Sequence, residues 1–145
     1  MTAQAIMANE ATYSPSHLGD AFIKRYGAYS LAMEQKHYAL MDRYVQGYNG
    51  GRFKNLHTPN GLVVRVLDSD ETFVLSNAEN YFEAEVSAEA ASLAVFVMAV
   101  NKLIWAYHSL NDQHAMEFLI DEFEKLTDYI RSDIPYSREI NRFLD

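Results

Sequence analysis

Apolar and polar residues follow two different periods along this chain, and the period changes twice. Up to about residue 47, apolar side chains recur every three or four positions, which is typical of amphipathic helices. Between residues 53 and 86 they alternate or form short blocks bounded by turn residues, which is typical of strands. Helical spacing then returns. The chain therefore has helices, then a contiguous group of strands, and then helices again. This order is typical of an α+β domain.

Two helices are predicted before the strands. Ser14 and Pro15 fit an N-cap and a first helical residue, so the first helix is expected over residues 15–26. The second is expected over residues 30–46, ahead of a glycine stop. Residues 1–14 have no periodic pattern and are expected to form a flexible leader of a single domain, 1–145.

Four short strands are predicted between residues 53 and 86, because three turn signals divide this region. The turns are Pro59-Asn60-Gly61, Asp68-Ser69-Asp70 and Asn77-Ala78-Glu79. In the last strand Tyr81, Glu83 and Glu85 share one face, and the alternate apolar residues share the other. We expect a small antiparallel meander of about four strands, packed with four to five helices.

The most apolar segment of the chain follows the last strand. Ser87 is a predicted N-cap for a helix over residues 88–109, whose first half carries almost no polar side chain. A helix that is apolar on all sides is normally buried. The uninterrupted apolar part is shorter than the about 20 residues that a membrane span needs. We therefore expect a core helix that is the most buried element, with Phe96 and Trp105 packed against the sheet or its neighbouring helices.

The next predicted helix, over residues 111–131, has a regular pattern of charge. Four acidic residues recur at intervals of four, three and four and form one exposed row, called the acidic line below: Glu117, Asp121, Glu124 and Asp128. Glu122 is expected beside it. Carboxylates spaced roughly 5–6 Å apart approach the spacing of phosphates along a nucleic acid. Two interpretations remain open, namely a solvated helix face and a phosphate-like surface that contacts a partner protein. A short last helix is expected over residues 136–144, with Tyr136, Ile140 and Phe143 as its buried anchors.

Composition narrows the possible functions. The 145 residues include no cysteine, which excludes a disulfide framework and a cysteine nucleophile. The net charge is −8, and affinity for phosphates comes from Lys and Arg, so no direct binding of nucleic acid is expected. The N-terminal segment lacks the basic and apolar regions of a secretory signal, so the expected compartment is the cytoplasm, with no membrane association.

Sequence motifs for catalysis or metal binding are missing. There is no HExxH pair, no GxSxG and no phosphate loop, so neither a cofactor nor a metal nor a catalytic residue is predicted. His108 and His114 flank a helix junction and are the remaining metal candidates. Glu83 and Glu85 point the same way on one strand, about 7 Å apart. They suggest a small hydrolase or ligand-binding enzyme as an alternative, and a solvated sheet face as the simpler interpretation.

Two segments resemble the ArdB/KlcA antirestriction family. The first has the pattern Tyr-x-Gly-Gly-x-aromatic, here Tyr48, Gly50, Gly51 and Phe53. The second leads from a strand into the apolar helix, here Asn80, Tyr81, Phe82, Glu85, Ser87, Ala90 and Ala91. With the similar C-terminal segment, the resemblance covers about residues 48–145. The chain departs from the family at Phe53, where Trp is usual, and in the strand over residues 61–66.

The resemblance implies a small α+β protein carried by plasmids, phages or genomic islands. Such a protein relieves restriction by type I DNA restriction–modification systems, and no catalytic residue is established in the family. The implied function is therefore that of a non-enzymatic inhibitor. Its expected partner is the type I complex or an associated host protein. Inhibition of another bacterial defence system, such as CRISPR, is the alternative within the same class.

Overall fold

Five α-helices, a short 3-10 helix and six strands form the part of the chain that the computed structural model describes, residues 10–17 and 19–145. In chain order these are β1 (Thr12–Pro15), α1 (Ala21–Tyr26), the 3-10 helix (Gly27–Tyr29), α2 (Ser30–Tyr44), β2 (Val45–Gln46), β3 (Phe53–His57), β4 (Val63–Leu67), β5 (Thr72–Asn77), β6 (Phe82–Ser87), α3 (Ala88–Ser109), α4 (Gln113–Ile130) and α5 (Ser137–Leu144). Most of the predicted leader, residues 1–9, lies outside the described residues.

The strands form two antiparallel sheets of three strands each. β3 and β4 make one hairpin, and β1 pairs with the free edge of β3. β5 and β6 make the second hairpin, whose edge is covered by β2, two residues that the sequence assigned to the end of α2. The α+β class is confirmed. The single meander is corrected to two hairpins, because the chain between β4 and β5 crosses from one sheet to the other and α3 contacts both strands.

The start of α1 also differs from the prediction. Ser14 and Pro15 belong to β1 and do not begin a helix. Pro15 is compatible with this position because β1 lies at a sheet edge, where a missing N–H is tolerated. The helix begins after Asp20, whose carboxylate accepts a hydrogen bond of 3.3 Å from the backbone N–H of Ile23. Gly27 ends it with a backbone φ of 51°.

Helix α3 is the predicted core helix. The Ser87 hydroxyl accepts a hydrogen bond of 3.1 Å from the backbone N–H of Ala90, which confirms the N-cap. Phe96 is 1% exposed. The helix is long and apolar enough to cross a membrane by length and composition, yet most of that apolar segment is buried within the protein. Strand β4 is buried at all five positions, so α3 and β4 together form the centre of the molecule.

Two aromatic residues expected inside the protein are on its surface. Trp105 is 63% exposed, because the fully buried part of α3 ends at Leu103. Tyr136 has a left-handed backbone with a φ of 62° and precedes α5 as an exposed turn residue. Ile140 and Phe143 are fully buried and anchor α5, as predicted. The apolar character of a residue therefore did not by itself predict whether its side chain is buried or exposed.

A buried ion network joins β4 to the helices at the start of the chain. The Arg65 guanidinium pairs with Asp20 and lies 2.5 Å from a carboxylate oxygen of Glu34. It also donates a hydrogen bond of 2.8 Å to Asn55 and lies 4.6 Å from the ring centroid of Phe22. Burial by itself would raise the pKa of Asp20, but hydrogen bonds from Asn55 and Arg65 outweigh it and hold this pKa at about 2.

His37 is a titratable residue in the middle of the core. Its ring contacts Tyr38, Phe53 and Phe96. Nε2 lies 2.9 Å from the carbonyl oxygen of Ser92, so it carries the proton and donates it to that oxygen. Nδ1 has no hydrogen-bond partner among the described atoms. Burial lowers the pKa of His37 from 6.5 to about 4, and the ring is neutral at pH 7.

We expect acid to destabilise the protein through His37. Its pKa is lower in the folded state, so the neutral ring contributes stability above pH 6.5, and this is lost as the pH falls towards 4. A difference of two to three pKa units corresponds to about 3 kcal/mol. Urea unfolding of the wild type and of His37→Phe, which cannot titrate, should show a flatter pH dependence for the variant between about pH 7 and pH 4. Equal pH dependence of the two proteins would contradict a neutral buried His37.

Candidate functional site

The outer face of α4 carries the acidic line. Asp112 caps the helix by accepting a hydrogen bond of 3.2 Å from the backbone N–H of Ala115. The opposite face is buried, and all four residues of the acidic line are exposed, as the spacing predicts. Within residues 10–17 and 19–145, none of the four forms a salt bridge. The row of carboxylates therefore keeps its negative charge available for contact with another molecule.

Glu122 does not belong to this row, although the sequence placed it beside the line. It is buried and pairs with Arg25, the two charged groups lying 2.6 Å apart. Its second carboxylate oxygen accepts a hydrogen bond of 3.3 Å from the Tyr26 hydroxyl. The helical period explains the difference, because Glu122 lies three residues after Leu119 and four before Leu126, which are both buried. Glu122 therefore fixes α4 to α1.

A groove with a volume of about 690 Å³ opens at the C-terminal end of the acidic line. Its walls come from β1 and the residues before it, the β3–β4 turn, the first turn of α3, and the end of α4 with its connection to α5. Asp128 lies both in this groove and in the acidic line. Three further acidic residues and two tyrosines also line it: Glu10, Glu89, Asp133, Tyr13 and Tyr129. The sequence did not predict this groove.

Tyr13 and Glu89 are hydrogen-bonded to each other at the groove wall. The Tyr13 hydroxyl donates a hydrogen bond of 2.5 Å to a carboxylate oxygen of Glu89. Burial, this hydrogen bond and the Glu89 charge raise the pKa of Tyr13. Burial and the same carboxylate raise the pKa of Tyr129. The ammonium of Lys54 lies 4.4 Å from the centroid of the Tyr13 ring, so this ring already attracts a cation.

Glu83 and Glu85 are exposed on β6, and neighbouring strands hold both side chains. Gln46 donates a hydrogen bond of 3.2 Å to Glu83, and the Thr72 hydroxyl donates one of 2.6 Å to Glu85. Carboxyl groups that perform acid–base catalysis usually lie in a cleft that holds the substrate. These two side chains instead take part in hydrogen bonds across an open sheet face. An enzyme built on them stays a prediction.

The first family motif is the loop between β2 and β3. Gly50 and Gly51 have backbone φ angles of 96° and 131°, which glycine adopts without steric cost. A β-carbon at Gly51 would lie 3.1 Å from Leu67 Cδ1, so a side chain here would also displace the end of the Leu67 side chain on β4. The rings of Tyr48 and Phe53 have centroids 6.3 Å apart. The two glycines therefore set the conformation of the loop, and the contact between Tyr48 and Phe53 packs it against the start of β3.

Asn80 in the second motif holds the end of α5. Its side-chain amide donates hydrogen bonds of 3.2 Å and 3.0 Å to the carbonyl oxygens of Arg142 and Phe143. Asn77 donates another, of 3.2 Å, to Phe143. The last carbonyls of a helix lack partners within the helix, and these two asparagines supply them. The β5–β6 turn therefore secures the C-terminal helix.

The remaining positions of the second motif divide between structural and exposed residues. Phe82 is buried with its ring centroid 6.1 Å from that of Phe143, and Ser87 is the N-cap of α3. Glu85 is exposed on β6. Tyr81 is 94% exposed and has a left-handed backbone with a φ of 58°. Tyr81 and Glu85 are thus the motif positions whose side chains lie on the surface.

The two histidines at the α3–α4 junction have different partners. The His114 ring nitrogen Nδ1 lies 2.9 Å from the Tyr29 hydroxyl oxygen. The His108 ring packs against Trp105 with centroids 5.7 Å apart. In the described part of the chain, no three His, Cys, Asp or Glu side chains are placed to hold a metal ion.

Comparison with known sequences extends these observations. The profile of the antirestriction protein family matches residues 46–145. The putative antirestriction protein YubI of Escherichia coli K12 is 35% identical over 75 residues, which is 52% of either chain. YafX of the same strain, an uncharacterized protein, is 30% identical over 117 residues, or 79% of this chain and 72% of YafX. The match to YubI thus spans about half the length of that relative.

The fold has a counterpart among solved structures. The match has a TM-score of 0.77 and 24% identity and covers 93% of this chain and 95% of the other. That structure comes from work on the KlcA and ArdB proteins, which describes a novel fold and antirestriction activity against Type I DNA restriction systems in vivo but not in vitro. At this identity, the likeness shows a shared fold.

Proposed function

The chain belongs to the antirestriction protein family, and from this premise we propose that it relieves type I DNA restriction as a non-enzymatic inhibitor in the bacterial cytoplasm. The observation that carries the proposal is the family match over residues 46–145. The fold shared with the KlcA/ArdB structure supports it over nearly the whole chain. The partner is the type I restriction–modification complex or a host protein associated with it.

A plating assay tests this function directly. Unmodified phage is plated on a type I restricting host with and without the protein, and on a non-restricting host as the reference. Expression should raise the plating efficiency towards that of the reference. An unchanged efficiency in cells that contain the folded protein would contradict the proposal. Relief on a host whose only defence is a CRISPR system would point to the alternative target.

The acidic line is the surface that we assign to contact with the partner. Its four carboxylates are exposed and have no salt bridge within the described residues, so their field reaches into solvent. A protein that binds DNA presents Lys and Arg, and a row of carboxylates is complementary to such a surface. Contact through this row also accounts for inhibition without a catalytic step.

Neutralising the acidic line should abolish most antirestriction activity and leave the fold intact. The variant combines Glu117→Gln, Asp121→Asn, Glu124→Gln and Asp128→Asn. Exposed charges contribute within about 0.5 kcal/mol each, so the melting temperature should stay near that of the wild type. The steering of association is screened over roughly 8–10 Å at physiological salt, so the charges matter mainly for binding. Plating efficiency and thermal unfolding are the measurements.

A matched control removes the same number of charges from exposed positions on the strand side of the molecule. It combines Asp70→Asn, Glu71→Gln, Glu83→Gln and Glu85→Gln. This control should keep its antirestriction activity. Full activity in the folded acidic-line variant would remove the line as a contact surface. Loss of activity in the control alone would direct attention to Glu83 and Glu85.

A further inference from the structure

We propose that the groove at the C-terminal end of the acidic line binds a basic segment of a partner protein, with an arginine or lysine side chain against the Tyr13 and Tyr129 rings. This binding goes beyond the antirestriction proposal and does not depend on it, because it is a property of the isolated protein. Residues from four separate segments of the chain build the groove, so the tertiary fold creates it.

The groove has the size and lining of a site for a peptide side chain and its neighbours. Its volume of about 690 Å³ lies within the roughly 300–1,000 Å³ of typical binding pockets. Most of the exposed lining is apolar, with the half-buried side chain of Ile134 among its contributors. An apolar lining of this kind accommodates the methylene stem of Lys or Arg, whose charged end stays among polar groups.

Charge at the groove selects a cation. Four carboxylates line it, from Glu10, Glu89, Asp128 and Asp133, and neither Lys nor Arg does so among the described residues. Helix α4 also ends beside it, at Ile130, and the C-terminal end of a helix carries partial negative charge. A cleft lined by one sign of charge concentrates its field. Nucleic acids are therefore repelled from the groove, and basic protein segments are attracted.

The tyrosines add a second type of contact with a cation. Aromatic faces attract Arg and Lys, with Arg the more frequent partner. The ammonium of Lys54, which lines a neighbouring cavity and not the groove, lies 4.4 Å from the centroid of the Tyr13 ring, so this ring already attracts one cation. Tyr13 also holds the Glu89 carboxylate through its hydroxyl, which keeps that charge in place. Carboxylates next to aromatic rings match the planar guanidinium, which forms paired hydrogen bonds and stacks on rings.

A protein segment fits this arrangement better than a small free cation. The carboxylates lie on four different parts of the chain, namely the residues before β1, the start of α3, the end of α4 and the α4–α5 connection. One compact cation would leave several of them without a partner, whereas a basic segment places successive side chains along the groove. Asp128 connects the groove to the acidic line, so a single partner can contact both.

A peptide-binding experiment tests this inference. The probe is a fluorescein-labelled peptide of alternating Arg and Gly, and an otherwise equal peptide with Glu in place of Arg is the control. Fluorescence anisotropy with the full chain should show saturable binding of the Arg peptide that weakens as salt increases. The Glu peptide should not bind. No saturable binding of the Arg peptide at low salt would overturn the proposal.

Two matched double variants locate the binding. Asp128→Asn with Asp133→Asn removes two charges from the groove, and Glu117→Gln with Asp121→Asn removes two from the same region outside it. The groove pair should weaken binding about 10-fold or more, and the other pair less than about twofold. Equal weakening by both pairs would mean that binding follows overall charge, and would overturn the groove as the site.

Two further experiments test the contact with the Tyr129 ring and whether the ligand is a protein segment or a small cation. Tyr129→Leu should weaken binding several-fold, and Tyr129→Phe, which keeps the ring, should not. Equal binding by these two variants would overturn the contact with the ring. Spermidine is added as a competitor that carries positive charge without a peptide. Complete displacement of the peptide by an equal concentration of spermidine would make this a small-cation site and overturn docking of a protein segment.

Discussion

Replacing Phe96 by alanine should lower the free energy of unfolding by about 3–5 kcal/mol. Phe96 is 1% exposed in the middle of α3. Its ring centroid lies 5.2 Å from that of His37 and 6.2 Å from that of Phe22, so it connects α3 to both helices at the start of the chain. Truncation removes these contacts and leaves a cavity that rigid neighbours fill only in part. Urea unfolding at neutral pH measures the loss.

Trp105→Ala provides the control on the same helix. Trp105 is larger than Phe96 but 63% exposed, so its truncation should change stability by less than about 1 kcal/mol. Two variants that differ in this way would show that position along α3, and not the size of the side chain, determines the cost. A loss below about 1 kcal/mol for Phe96→Ala would contradict the packing around the core helix.

Arg65→Met should lower the free energy of unfolding by about 3–5 kcal/mol at neutral pH, as much as Phe96→Ala, but for an electrostatic reason. The guanidinium pairs with Asp20, which is buried, and with Glu34. Methionine fills part of the space but leaves the Asp20 carboxylate buried beside Asn55 without its counter-charge. An unpaired buried charge is strongly unfavourable, even where the intact pair contributes little net stability.

The pH dependence of this variant gives a second readout. In the wild type, hydrogen bonds from Asn55 and Arg65 overcome the effect of burial and hold the pKa of Asp20 at about 2, so it stays ionised above that pH. Without Arg65, the effect of burial on Asp20 is opposed by fewer hydrogen bonds, so the pKa of Asp20 should rise. The neutral acid then forms on mild acidification and relieves the unpaired charge. The difference in the free energy of unfolding between the wild type and Arg65→Met should therefore become smaller as the pH falls from about 7 to about 4.

Lys54→Met is the matched control for loss of a cation. Lys54 on β3 pairs with Asp68 at a distance of 3.5 Å, and both side chains are partly exposed to solvent. Ion pairs of this kind contribute about 0–1 kcal/mol. Unfolding of Lys54→Met should therefore differ little from that of the wild type. An equally small effect of Arg65→Met would show that the buried network is not required for stability.

The positions at which the chain departs from the ArdB/KlcA pattern lie mainly inside the protein. Phe53 is buried and packs against His37 and Tyr38. The segment 61–66 leads into β4, which is buried throughout and carries Arg65. These differences therefore alter internal packing and internal charge. The exposed acidic line and the groove are the surfaces on which recognition of a partner depends in our proposals.

Several features of this protein follow from its sequence alone. The continuous apolar segment and the Ser87 N-cap determine α3, because a helix with no polar face must be buried. The spacing of the acidic line predicts its exposed face on α4, because helical geometry is local. The motif segments from residue 48 onward identify the family. Each of these conclusions depends on residues that are near one another in the chain.

The tertiary structure decided which elements meet. β1 has a polar sequence ending in Pro15 and becomes a strand because it pairs with β3, about 40 residues later. The grouping of strands into two sheets, the pairing of Glu122 with Arg25 and the exposure of Trp105 likewise depend on distant neighbours. The groove brings together Tyr13 and Tyr129, which no local pattern connects. Periodicity shows which face of an element is apolar, but the same face can pack against many partners, and only the assembled fold selects one.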